Sequence, residues 1–317
     1  MTDNYKKIIN VITAAKRPAF FCHTRPDGDT LGAAFALKHV LKAEADIFCE
    51  TEVTPYYDII PGIKDLKRGE FDAGAYDLLV SVDCADAQRI GRYAAAFLKH
   101  PNTVNIDHHQ TGEPFAKLNY VRPQASSSGE LVFNLIKDAG LELNEDCAVC
   151  LYIAVCTDTG NFTHSNTTPE TYNMAAGLLR FKIDVSYINL KLYKEMPEGR
   201  VKLLARALGS LKMYADGKIA LLYIGLKDFA ECGCKSCDNE GFVEYAANVE
   251  GALVGVLLTE IARNSYKISL RSKAGIDISR PAMTFNGGGH KQAAGCIVSG
   301  NLIDVTEKIV FECSKEL

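Results

Sequence analysis

Short apolar runs that stop at a histidine or an acid constrain this chain most. Ala19-Phe20-Phe21-Cys22 runs into His23, Leu78-Leu79-Val80-Ser81-Val82 into Asp83, and Thr103-Val104-Asn105-Ile106 into Asp107. Continuous apolar runs of this length suit strands buried on both faces, as in a parallel sheet, with the polar residue at the carboxyl edge. Open parallel sheets place ligands at that edge. Three strands are therefore expected to deliver His23, Asp83 and Asp107 to one rim. Asp46 to Cys49 reads as another strand, and Thr30 to Lys42 as a helix after the loop HTRPDGD at 23–29. This alternation predicts the α/β class.

Residues 126–210 read as mostly helical. Ser128, Leu131, Leu135 and Ile136 have helix spacing, as does Cys147 through Val155, and Pro169 opens a further helix capped by Thr168. Mixed polarity and Pro197-Glu198-Gly199 place a domain boundary in or near 184–200. Strand signals return at Lys218–Ile224, Ala252–Leu258 and Tyr266–Leu270. The glycine-rich loop Phe285–His290 comes next, then a helix expected to begin over Lys291–Ala294 and a terminal helix over Ile303–Phe311. A smaller α/β domain over about 210–317 follows from this pattern.

A length of 317 residues fits about two domains, and 47% hydrophobic with 23% charged residues suffices for ordinary globular cores. The net charge of -4 removes general attraction to polyanions as a premise. It leaves open a small phosphate-bearing substrate, because a bound metal or a basic patch can reverse the local field. The eleven cysteines are odd in number and scattered through apolar stretches, as at Cys147, Cys150 and Cys156, which reads as buried thiols rather than a disulfide framework. No secretory signal is evident at the start, and the longest apolar runs fall short of the ~18 residues of a membrane helix. A cytoplasmic protein with no membrane partner is expected.

Four clusters carry the chemistry: HTRPDGD at 23–29, VDCAD at 82–86, DHH at 107–109 and TDTGNF at 157–162. They supply His23, Asp27, Asp29, Asp83, Asp107, His108, His109 and Asp158. Any one of these acids alone reads as a helix cap or a solvated surface group. Several of them ending buried strands is a different matter, because unpaired buried acids are costly and metal ions offset the cost. Imidazole and carboxylate ligands suit transition metals, and two ions about 3.5–4 Å apart can share an acid, activate water and stabilise a leaving oxygen. A two-metal hydrolase acting on phosphoryl groups is the natural reading. The acid-rich set favours manganese or magnesium over structural zinc. The histidines favour manganese, with cobalt or iron also compatible.

The sequence resembles the DHH phosphoesterase superfamily in its branch with a DHHA1 domain, in particular the bacterial oligoribonuclease and 3'-phosphoadenosine 5'-phosphate phosphatase type. HTRPDGDTLGA, Asp83, Asp107-His108-His109 and Asp158 in TDTGNF stand for the metal motifs, and GGGHKQAAG at 287–295 for the DHHA1 signature. The resemblance implies a parallel-sheet DHH catalytic domain over 1–188, a linker over 189–209, a DHHA1 substrate domain over 210–317, and an active site in the cleft between the domains. It implies one ion on His23, Asp27 and Asp83, and another on Asp29, Asp83, His108 and Asp158, with Asp83 bridging. Asp107 would orient the DHH turn, and His109 would act beside the scissile phosphate as general acid or electrostatic stabiliser. In the second domain Gly287, Gly288, Gly289, His290 and Lys291 would cradle substrate, and Arg271 with Ser269 would clamp a terminal phosphate. Arg122 and Ser127-Ser128 would support phosphate near the first domain.

The implied substrates are short RNA, the linear dinucleotide pApA and adenosine 3',5'-bisphosphate (pAp), and a homodimer is expected. Cyclic-dinucleotide phosphodiesterase, inorganic pyrophosphatase and a non-catalytic nucleotide-binding module are the alternatives. Cys232, Cys234 and Cys237 have part of the spacing of a metal knuckle but no evident fourth ligand, so a surface thiol loop is the simpler reading.

Overall fold

The computed structural model describes residues 3–109, 112, 114–273 and 275–317. Two compact units divide the chain, Met1–Glu195 and Met196–Leu317. In the first unit α1 (Asp3–Ala14), β1 (Pro18–Phe21), α2 (Gly28–Val40), β2 (Asp46–Phe48), β3 (Leu78–Val82), α3 (Ala94–Lys99), β4 (Thr103–Asp107) and β5 (Leu118–Val121) are followed by four helices. These are α4 (Ser128–Asp138), α5 (Glu145–Asp158), α6 (Pro169–Leu178) and α7 (Val185–Asn189). The sheet has the order β2-β1-β3-β4-β5 and every pairing is parallel. Every residue of β1, β3 and β4 is buried, as their unbroken apolar runs require. The chain leaves β1 in one direction for β2 and returns on the other side to β3. The β1/β3 edge is thus the point where such sheets open a crevice.

Two helices on one face of this sheet are buried almost all round. Gly28 to Leu37 of α2 and most of Cys147 to Cys156 of α5 are inaccessible, so both lack the polar stripe of a surface helix. Eight cysteines are buried among the described residues, including Cys22, Cys49 and Cys84 at the strand ends. They pack as small hydrophobes.

The second unit contains α8 (Glu198–Gly209), β6 (Lys212–Tyr214), β7 (Ile219–Ile224), α9 (Leu226–Cys232), α10 (Phe242–Ala247), β8 (Val254–Ala262) and β9 (Ser265–Ser272). Then come α11 (Ser279–Thr284), β10 (Gly288–His290), β11 (Ala293–Ser299) and α12 (Leu302–Ser314). They form a six-stranded sheet of order β10-β11-β9-β8-β7-β6. The stretch 189–209, expected as a linker, has helical turns on both sides of the division, with a π turn at Leu190–Lys194 and then α8.

One expectation is overturned here. Lys291–Ala294 does not begin a helix. His290 pairs with Ala293, so Lys291-Gln292 is the two-residue turn of a hairpin, and Ala293-Ala294 belongs to a strand paired along its length with β9. An available strand edge outweighs the local preference of two alanines for helix. Within the apparent glycine loop, Gly288–His290 is itself a strand.

Among the described residues no helix is long and apolar enough to cross a membrane. The contact of α2 with α5 depends on Gly32, where a Cβ would meet the Cys150 carbonyl and lie 2.9 Å from Ala154 Cβ. Gly32→Ala should therefore destabilise the protein by about 1–3 kcal/mol despite alanine's helix propensity. A thermal melt checks this, at a fall of roughly 2–4 °C per kcal/mol.

Candidate metal centre

The carboxyl edge of β1, β3 and β4 carries the site. His23 lies just beyond β1. Its Nδ1 is 3.0 Å from Thr24 O, and a carbonyl only accepts, so Nδ1 carries a hydrogen and Nε2 is the nitrogen left to face the site. That Nε2 lies 3.6 Å from Asp27 Oδ1 and 3.3 Å from Asp83 Oδ2. It is buried with no hydrogen-bond partner among the described residues. Asp27 also caps α2, accepting from the Asp29 and Thr30 amides at 3.1 Å. The cap reading and the ligand reading therefore hold for the same side chain.

Asp83 follows β3 with φ +61, a left-handed conformation that a non-glycine residue adopts at a cost. Its Oδ2 faces His23. Its Oδ1 accepts from Ser128 Oγ at 2.9 Å and lies 3.6 Å from His108 Nε2. His108 repeats the arrangement of His23: Nδ1 is 3.2 Å from Ala125 O, and Nε2 is 3.5 Å from Asp158 Oδ2 and 3.9 Å from Asp29 Oδ2. The ligand atoms of His23, Asp27 and Asp83 fall within 4.8 Å of one another, as do those of Asp29, His108 and Asp158, and those of Asp83, His108 and His109. His109 Nδ1 is already engaged, 2.7 Å from Asp107 Oδ1.

The electrostatics of the protein alone are strained. Burial together with Asp83 and Asp158 pushes the fully buried Asp29 well above the usual carboxylate range. Asp158 is pushed up to about 6 by burial, which outweighs the pull of His108, with the Asp83 charge adding to it. Burial opposes a charged His23, yet the Asp27 and Asp83 carboxylates beside Nε2 take it up to about 9 in the protein alone, where a proton stands in for a cation. Acids this close cannot all ionise without added positive charge. Two imidazoles anchored through Nδ1 and presenting Nε2 to carboxylates are a donor set that fits a divalent cation. These residues can hold a metal ion.

The segment 125–129 organises the ligands, and motif reading did not find this. Ala125 O holds His108 and Ser128 Oγ holds Asp83. The Ser128 and Gly129 amides, at the start of α4, donate to the two oxygens of Asp29 at 2.7 and 2.8 Å. Ser127 caps α4 by accepting from the Glu130 amide. Ser127 and Ser128, expected to support phosphate, are fully buried and occupied by the helix and the carboxylates. A serine directly before the helical spacing that starts at Ser128 is a signal that could have marked the Ser127 cap, whereas backbone donors have no signal of their own. Arg122 is exposed. It donates to Val121 O and lies 5.5 Å over the Tyr120 ring.

In the second unit, sheet register sorts the remaining residues. Arg271, Ala293 and His290 form one cross-strand row, and Ser269, Gly295 and Gly288 the next. With strands about 4.8 Å apart, Arg271 and His290 flank a floor of small residues at a Cα separation of about 10 Å. Gly289 has φ +143, and a Cβ there would lie 2.5 Å from Ala294 Cα. Lys291 sits exposed on the hairpin turn, and Gly287 packs against Cys296. Arg271 donates through Nε to Glu244 on α10 at 2.7 Å, so its guanidinium is engaged by an acid. Cys232 and Cys234 are half-buried, the Cys237 side chain lies outside the described residues, and no cysteine joins a ligand group among those described.

Comparison with known proteins gives the same domain order. A model of the N-terminal domain of the DHH family matches residues 19–155, and a model of the DHHA1 domain matches 232–315. The chain is 27% identical to the bifunctional oligoribonuclease and PAP phosphatase NrnA of Thermus thermophilus, across 99% of this chain and 94% of that protein. It is 30% identical to an uncharacterised protein of Mycoplasma pneumoniae, across 88% and 86%. Among solved structures, an exopolyphosphatase-related protein of Bacteroides fragilis superposes with a TM-score of 0.91 at 27% identity, covering 99% of this chain and 98% of that one.

Ser128→Ala removes the donor to Asp83 and leaves the amide that serves Asp29. Affinity for Mn2+ should fall by about 10–100-fold, read by calorimetric titration of metal-free protein.

Proposed function

Because the chain belongs to the DHH family of phosphoesterases and carries a DHHA1 domain, we propose that it hydrolyses short oligoribonucleotides and linear dinucleotides to mononucleotides and removes the 3'-phosphate of pAp. The observation that carries this reading is the placement of Asp83, whose two oxygens face two separate histidine–carboxylate groups. The names of relatives matched along nearly the whole chain support the substrate class.

In this reading His23, Asp27 and Asp83 hold one divalent ion, and Asp29, Asp83, His108 and Asp158 hold another, with manganese preferred over magnesium or cobalt. Such ions, when bound, supply positive charge to the phosphoryl oxygens and make water a nucleophile near neutral pH. The chain's own groups do the rest. Asp107 accepts from His109 Nδ1, which leaves Nε2 as the nitrogen able to protonate the departing ribose oxygen. The hydrogen bond to Asp107 raises the pKa of His109 against the effect of burial, so the imidazolium persists to higher pH. In the second unit Arg271, released from Glu244, offers a planar fork to a terminal phosphate. Ser269, Gly288 and His290 share the Arg271 face, and Gly287, Gly289 and Lys291 complete the hairpin that would cradle substrate.

Turnover of pAp, pApA, longer RNA, short DNA, cyclic-di-AMP and pyrophosphate, each with Mn2+, tests the reading. Short RNA, pApA and pAp should be cleaved, and chelation should abolish the activity. Pyrophosphate hydrolysis faster by orders of magnitude would make the protein a pyrophosphatase. Binding of nucleotide without turnover would make it a binding module.

His109→Ala should lower kcat by about 10²–10⁴-fold while keeping its metal, whereas His108→Ala should lose metal. Comparable metal loss from both would sink the general-acid role. Asp107→Asn removes the charge that holds the imidazolium. The alkaline limb of the kcat/KM profile, where a general acid is lost, should therefore move to lower pH.

A further inference from the structure

We infer that Asn166 is a positioning residue for Asp158, coupling that carboxylate to a carbonyl of Ser126 that Glu130 braces. The inference rests on the metal reading above. Five of the six proposed ligands have an anchoring hydrogen bond of their own. His23 and His108 are held by carbonyls, Asp27 and Asp29 by backbone amides, and Asp83 by Ser128. For Asp158 that partner is Asn166. Its Nδ2 donates to Asp158 Oδ2 at 3.3 Å, Asp158 O at 3.2 Å and Ser126 O at 2.9 Å. Three acceptors around one end of the side chain determine which end is the NH2 group.

Two further observations show why Asp158 needs this. It is the last residue of α5, where the helix dipole is negative and a carboxylate is disfavoured. A donor from outside the helix offsets that field. The opposite end of the amide, Asn166 Oδ1, is buried with no partner among the described residues. An orphaned acceptor is costly, and the structure carries it while keeping the donor end on Asp158. The anchor is rigid as well. Ser126 is fully buried, and its amide and hydroxyl both donate to Glu130 Oε2, at 3.0 and 2.6 Å.

The test compares the full-length protein with Asn166→Leu, which keeps volume without donors, and with Asn166→Ala. Metal-free samples are titrated with Mn2+ by calorimetry and electron paramagnetic resonance, and their melting is recorded without metal. The wild type should bind two ions. Both variants should keep one site at wild-type affinity and weaken the other by about 10–100-fold, with cooperative melting retained. Raising Mn2+ should restore kcat at unchanged substrate KM. Unchanged affinity at both sites overturns the inference, as does equal weakening of both, which marks a general packing role. A wild type that binds fewer than two ions overturns the two-metal reading itself, and that result is distinguishable from a variant that matches a two-ion wild type.

Discussion

Crowding of buried negative charge at the carboxyl edge of one parallel sheet governs the first unit. Asp29, Asp83 and Asp107 are almost inaccessible, and Asp27 and Asp158 stand beside them. No protein interior tolerates such a group unless each acid is hydrogen-bonded and the sum is compensated. The start of α2 gives amides to Asp27 and the start of α4 gives amides to Asp29, so two positive helix ends converge on the acids. His23 and His108 present Nε2 to these carboxylates, and a bound cation would complete the balance.

The location of this edge follows from topology. β1 and β3 are neighbours in the sheet but not in the chain, and their connections leave in opposite directions. His23 and Asp83 therefore emerge side by side, 3.3 Å apart at Nε2 and Oδ2. The buried helix pair α2 and α5 fixes the depth of the same site, because Asp27 and Asp29 begin one and Asp158 ends the other. Gly32, at their contact, thus bears on the site from a distance. The cysteines that stood out in composition belong to this packing. Cys22 and Cys84 each adjoin a site residue and are inaccessible, and burial holds both thiols well above their ordinary pKa. They act as small fillers rather than reactive groups.

Legibility in the sequence tracked the strength of the local signal. β1, β3 and β4 were readable because strands buried on both faces are written as unbroken apolar runs. β5 was not, since Leu118-Asn119-Tyr120-Val121 is short, broken by Asn119 and mostly half-buried at the sheet's edge. α1 went unremarked because only Tyr5, Ile8 and Ile12 of it are buried. Glycines disguised β10, whose conformation comes from pairing with β11 rather than from its own side chains. The helix expected at Lys291 failed for the same reason.

The sequence by itself determined the residue types of the centre, their order and their association with strand ends, because ligand chemistry resides in side chains that a sequence names. It could not determine what holds those side chains. Ala125 O, the Ser128 and Gly129 amides and Asn166 act through backbone groups or through contacts 8 to 100 residues away. Backbone donors are the same at every position in a sequence and become specific only when a fold aims them. Likewise the composition gave 39 acids and a net charge of -4, while only the tertiary structure decided which of the acids are buried together and so require a counter-charge.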